Sequence, residues 1–152
     1  MKNFIKLLFV LTAILLSNKS FANEKWEFFK DDEYCYIQSN PIKTLIPEGK
    51  TRGQHGMIVY RIHKSTDLII QLTAGFDYKS SDSISVKVDE NDYSFYTDSD
   101  TAWSKDDNKT IYAMKKGLEF TTTGISSMGT KVTDTYTLKG FTAAINKLTQ
   151  DC

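Results

Sequence analysis

Cysteine, histidine and proline are scarce in this 152-residue chain, with two of each. The two histidines, His55 and His63, have no partner at metal-ligand spacing, and nothing resembles H-E-x-x-H. They read as surface or turn residues, and neither a metal nor a cofactor is expected. No C-x-x-C pair occurs, and no histidine adjoins a cysteine in sequence, so a reactive thiol is not indicated. Basic and acidic side chains balance at 19 each. A basic stripe is missing, which argues against a nucleic-acid partner. Long acidic runs of the kind found in disordered tails are missing too. No stretch after the amino terminus is apolar enough to span a membrane.

What is present begins with an export signal. Met1 to Lys6 carries two lysines, Leu7 to Leu16 is apolar apart from Thr12, and Ser20-Phe21-Ala22 offers small residues before a cut. This three-part pattern predicts a secretory leader over 1–22, cleaved before Asn23. The alternative is an uncleaved amphipathic anchor. Removing the leader takes three lysines and no acid, which leaves 16 basic against 19 acidic groups, about −3. The remaining 23–152 has the size of one domain. Its Ile, Val, Tyr and Phe content argues for a packed core.

Cys35 and Cys152 both survive processing. Two thiols in an exported protein most often pair, and a bridge is expected here; two free thiols are the alternative.

The mature chain reads as mainly β. Trp26 to Phe29 and Tyr34 to Ile37 are aromatic segments around a charged turn. Asn40 to Gly56 holds both prolines and reads as a loop. Met57 to Ile62 and Leu68 to Thr73 follow as strands. Ser83 to Val88 alternates at period two, with Ile84, Val86 and Val88 on one face. Tyr93 to Thr97 is expected to pair back on it as a hairpin after the turn Asp89 to Asp92. Leu118 to Ile125 and Val132 to Leu138 alternate again, with threonines on the second face. Asp107 to Lys116 opens with acids and ends with lysines before Gly117, which predicts a helix closed by a left-handed glycine cap. Phe141 to Thr149 sets Phe141, Ala144, Ile145 and Leu148 on one helical face. Many short strands with late helices predict an antiparallel β-sandwich with a short internal helix and a C-terminal helix.

Catalytic traces are thin, and no catalytic residue is assigned. Gly124-Ile125-Ser126-Ser127-Met128-Gly129 approaches a nucleophile elbow, but its second glycine is one residue late and a strand follows, so a β-turn is the reading. Asp98 to Asp107 fails the EF-hand pattern, because Ala102 stands where an oxygen ligand is needed. That segment reads as a solvated loop capping the next helix, folded onto the body by Trp103. Trp26 and Trp103 read as packing residues, with partner anchoring as the alternative. Carboxylate pairs assembled in space leave no sequence spacing to find.

The second half carries a recognisable ordered set. Asp100-Thr101-Ala102-Trp103, Ile111 to Gly117, Gly124 to Thr130 and Asp134 to Ala144, closing on the terminal cysteine, resemble the invasion-associated locus B family of exported bacterial proteins. Cys35-Tyr36 and Arg52-Gly53 fit its shorter, single-disulfide branch. The branch often has arginine where Met128 stands, so an anionic contact at that position is not carried over. The longer branch's additional cysteines are lacking here. The resemblance implies a β-sandwich in the periplasm, at the outer membrane or outside the cell, linked to host-cell contact, and no catalytic residues. The expectation is a non-enzymatic module for a protein or cell-surface partner, with a candidate surface at Arg52, Trp103, Ser126, Ser127 and Thr130. A structural envelope-stress protein, or a hydrolase with a spatially assembled carboxylate or histidine site, is the alternative. Oligomeric state is not legible.

Overall fold

The computed structural model describes residues 26–152. The expected leader, 1–22, lies outside the described residues.

Among the described residues, eleven strands form two antiparallel sheets. The first has six strands in the order β1 (Glu27–Lys30), β2 (Tyr34–Ser39), β4 (Gly56–Ile62), β5 (Ile69–Thr73), β9 (Thr101–Ser104) and β8 (Phe95–Asp98). The second has five, in the order β3 (Lys43–Leu45), β11 (Lys131–Thr137), β10 (Glu119–Ile125), β6 (Ile84–Val88) and β7 (Asn91–Tyr93). The two sheets share one core, to which Ile37, Val59, Ile70 and Leu72 contribute from one side and Val86, Val88, Phe120 and Tyr136 from the other. Phe120 sits at its centre, edge-on to both Phe95 and Tyr136 at 6.1 Å. Such pairs contribute about 0.5–1.5 kcal/mol beyond burial.

Helix α2 (Phe141–Asp151) packs against β1, β2 and β4, and against helix α1 (Asp107–Lys116), which in turn touches β6. The helices therefore share the inner side of the six-stranded sheet with the five-stranded one. Phe141, Ile145 and Leu148 are the buried stripe of α2, as their spacing predicts. Trp26 is core, edge-on to Phe141 at 4.9 Å, with its indole N–H donating to the Thr137 carbonyl at 2.9 Å. The expected Cys35–Cys152 bridge is formed and fastens the end of α2 to β2.

Four local readings are corrected. The stretch Asn40 to Gly56 is not all loop, because β3 pairs with β11 through Leu45, Thr44 and Lys43. All three residues are exposed, so no apolar alternation announces the strand. Residues 93–97 do not form a hairpin with β6 as a unit. β7 pairs with β6, and the chain then crosses at Ser94 to place β8 in the opposite sheet beside β9. The polar segment 98–107 contains β9, whose core-facing residues are the small Ala102 and Ser104. Asp106 does cap α1, accepting from the Lys109 N–H at 3.0 Å. Finally, Gly117 closes α1 with an extended backbone (φ −83°), not a left-handed one. Glycine is required there for space: a Cβ would lie 2.7 Å from Val88 Cγ1 and 3.0 Å from Leu138 Cδ1.

Candidate functional site

Four of the five sequence-selected surface residues come together. Arg52, Ser126, Ser127 and Thr130 line one hollow of about 180 Å³, walled by Phe76 and Met128. The near-elbow is a β-turn: Gly129 N–H closes on the Ser126 carbonyl at 2.7 Å, with Gly129 at φ +79°. Ser126 is buried, and its hydroxyl accepts from the Thr130 N–H at 3.0 Å. Ser127 N–H donates to the Asp77 carbonyl at 2.7 Å. These bonds fix the turn, and among the described residues no histidine or carboxylate is hydrogen-bonded to the Ser126 hydroxyl.

Arg52 turns inward from this hollow. Its guanidinium donates from Nη1 to Asp134 Oδ2 at 2.7 Å and from Nη2 to Asp134 Oδ1 at 2.6 Å, a two-pronged pair. Nη1 also reaches the Ala74 carbonyl at 3.2 Å, and Nη2 the Thr44 hydroxyl at 3.0 Å. The side chains are 5% and 8% exposed. Arg52 thus clamps β3 and β11 to the end of β5. Burial first, and then the Asp134 charge, push the phenols of Tyr78 and Tyr136 far above the usual tyrosine range, with Arg52 pulling the other way.

Trp103 lies elsewhere, half-buried in mid-strand on the outward face of the six-stranded sheet. Ladder register sets Glu27, Gln38, Ile58, Gln71, Trp103 and Tyr96 in one row, one residue from each strand. The next row is Phe29, Tyr36, Tyr60 and Ile69. Tyr34 and Ile62 face each other beyond it, 37% and 52% exposed. Phe29 stacks on Tyr36 with centroids 5.0 Å apart, and Tyr34 meets Tyr60 edge-on at 6.3 Å. Neither the second sheet nor a helix covers this face. The corresponding outer face of the five-stranded sheet is different in kind: Thr121, Thr123, Thr133 and Thr135 line it, and Thr123 and Thr133 share a hydrogen bond at 3.0 Å.

The histidines do not join a carboxylate site among the described residues. His55 Nδ1 bonds the Gly53 carbonyl at 2.9 Å, and His63 Nε2 bonds the Asp31 carbonyl at 2.8 Å. His63 does stand against the bridge, 4.0 Å from Cys35 Sγ and 3.8 Å from Cys152 Sγ. These three side chains are the one group with metal-ligand types close together among the described residues. With both sulfurs in a disulfide, neither offers the thiolate a metal needs.

The aromatic face escaped sequence reasoning, although a signal exists. Met57 to Tyr60 is apolar without alternation, which in an antiparallel sheet means apolar residues on both faces. Only the placement of the helices shows which face stays open.

The invasion associated locus B (IalB) protein family model matches residues 27–149. No curated protein and no solved structure matches the chain significantly. With the match spanning nearly all the described residues, the chain belongs to the invasion associated locus B family.

Proposed function

We propose that this family member is an exported, non-enzymatic binding module that contacts a protein or cell-surface partner through the outward face of its six-stranded sheet. One observation carries the reading. Trp103, Tyr96, Tyr60, Tyr36, Tyr34 and Phe29 are gathered by strand register onto a face that, among the described residues, neither helix nor the second sheet covers. Tyrosine and tryptophan supply large, stiff contact area and dominate binding hot spots. Monomeric proteins rarely leave such patches open without a use. Export is supported by the leader pattern and by the Cys35–Cys152 bridge, a feature of oxidising compartments. The invasion-associated family supports a role at the contact between bacterium and host.

The test is affinity capture with the protein recovered from the periplasmic fraction, where the chain is expected to begin at Asn23. Wild type presented with host-surface and envelope extracts should retain a reproducible partner. Tyr34→Ala/Tyr96→Ala should weaken retention about tenfold or more, since loss of hot-spot aromatics costs upward of about 1–2 kcal/mol each. Both residues are exposed, so the fold should tolerate the change. Thr135→Ala, on the opposite sheet, should have no effect. Equal retention by all three proteins, or no partner at all, would sink the reading.

A further inference from the structure

We infer that the open face and the groove beside it bind a neutral oligosaccharide, an inference that rests on the binding-module reading and names its ligand class. Two hollows adjoin on this side of the molecule and share Ile58. One, of about 310 Å³, lies among Tyr34, Tyr60, Ile62, Gln71 and Glu33. The other, of about 680 Å³, lies between the end of β2 and the loop before β4, where Gln38, Asn40, Gln54 and His55 line it. Both fall within the size range of ligand sites.

The lining chemistry selects the ligand. An amide offers donors and an acceptor side by side, which matches a sugar hydroxyl that both gives and takes a hydrogen bond. Gln38 and Gln71 stand in the same cross-strand row as Trp103 and Tyr96, so the row presents two amides flanking Ile58 and, beyond Gln71, two aromatic rings. Pyranose rings call for the same two chemistries, with apolar C–H faces that lie on aromatic rings and hydroxyls at their edges. The tyrosine hydroxyls remain available. Among the described residues the aromatic side chains in hydrogen bonds are Trp26, Trp103 and Tyr112, none of them a tyrosine of this face.

Charge decides between sugars. Glu33 is the one formally charged residue in the two linings, and no lysine or arginine is present. A sulfated or sialylated chain, a phospholipid headgroup or a nucleic acid would meet a carboxylate and no cation. A neutral chain loses nothing, and Glu33 can accept from its hydroxyls.

The experiment titrates the exported protein with cellohexaose, maltohexaose and the hexamer of N-acetylglucosamine, with a heparin hexasaccharide as the anionic comparison. Binding is read by calorimetry and by Trp fluorescence, in which Trp103 reports and the buried Trp26 stays silent. At least one neutral oligomer should bind saturably, and heparin should not. Gln38→Ala and Gln71→Ala remove hydrogen bonds without removing rings, and each should weaken binding about tenfold at an unchanged thermal midpoint. Tyr60→Ala should do the same by removing the stacking surface, and Thr135→Ala should change nothing.

Absence of saturable binding by all three neutral oligomers overturns the proposal, as does binding that survives the three groove variants. A dimer that Tyr60→Ala dissociates would assign the face to a second copy of the chain instead. If sugars fail while Tyr34→Ala/Tyr96→Ala still abolishes capture of a protein partner, the ligand class falls and the binding module stands. If both fail, both fall.

Discussion

Removing the Cys35–Cys152 bridge is expected to lower the thermal midpoint by on the order of 10–20 °C while leaving the protein folded. The bridge spans a sequence separation of 117 residues. Chain-entropy arguments give a loop of that length about 4–5 kcal/mol, and native strain lowers the figure delivered. For a domain of this size each kcal/mol moves the midpoint by about 3–5 °C. The fold survives because α2 has other anchors. Phe141, Ile145 and Leu148 are buried in the core, Arg61 donates to the Thr149 carbonyl at 2.8 Å, and Lys30 to the Asp151 carbonyl at 3.0 Å. Differential scanning calorimetry with and without a dithiol reductant checks it. Equal midpoints would show that the bridge contributes nothing. The two cysteines are not equivalent, although symmetry of the bridge suggests that Cys35→Ser and Cys152→Ser should behave alike. Cys35 is fully buried, and Cys152 is not. Serine at 35 brings an unpaired hydroxyl into the core and should cost a further 1–3 kcal/mol; Cys35→Ala/Cys152→Ala isolates the bridge itself.

Asp134→Ala is expected to destabilise the protein by about 3–5 kcal/mol, the cost of breaking a buried ion pair on one side. The Arg52 guanidinium would keep only the Ala74 carbonyl and the Thr44 hydroxyl, in a site where its side chain is 5% exposed. Arg52→Ala should cost a similar amount, since the carboxylate would retain only the Thr44 hydroxyl, which donates at 2.6 Å. Replacing both, as Arg52→Met/Asp134→Leu, should restore most of the loss, because two well-packed apolar groups avoid desolvating either charge. Urea unfolding of the wild type, the two alanine variants and Arg52→Ala/Asp134→Ala gives the coupling directly, with Arg52→Met/Asp134→Leu as the test of apolar replacement. Additive losses, with the double variant as unstable as the sum of the singles, would show that the pair acts through separate contacts rather than as a clamp.

The elements that sequence made legible are those with one clean apolar face. β6 shows it in Ile84, Val86 and Val88, and α2 in Phe141, Ile145 and Leu148. β3 was hidden because Lys43, Thr44 and Leu45 are all exposed and show no apolar alternation, and β9 because its inward residues are small. The family resemblance is matched by the family model over residues 27–149, and the bridge was expected from the export reading and the number of cysteines. The Arg52–Asp134 clamp and the His63 contact with the bridge join residues 82 and 28 or more positions apart, and no local pattern encodes such pairs. The aromatic face was unreadable for another reason. Apolar residues on both sides of a strand look the same whether the second side is covered or bare.

The way the chain closes on itself governs how fast it can fold. Trp26 meets Thr137 across 111 positions, Thr44 meets Asp134 across 90, and β3 pairs with the distant β11. Loop entropy must therefore be spent before these contacts return anything, which places folding in the millisecond-to-second range rather than the microseconds of helical proteins. During that interval β4, which is apolar on both faces from Met57 to Tyr60, is prone to associate with other chains until it is covered. The same residues that give the finished protein its open aromatic face make its nascent form the most vulnerable stage of its life.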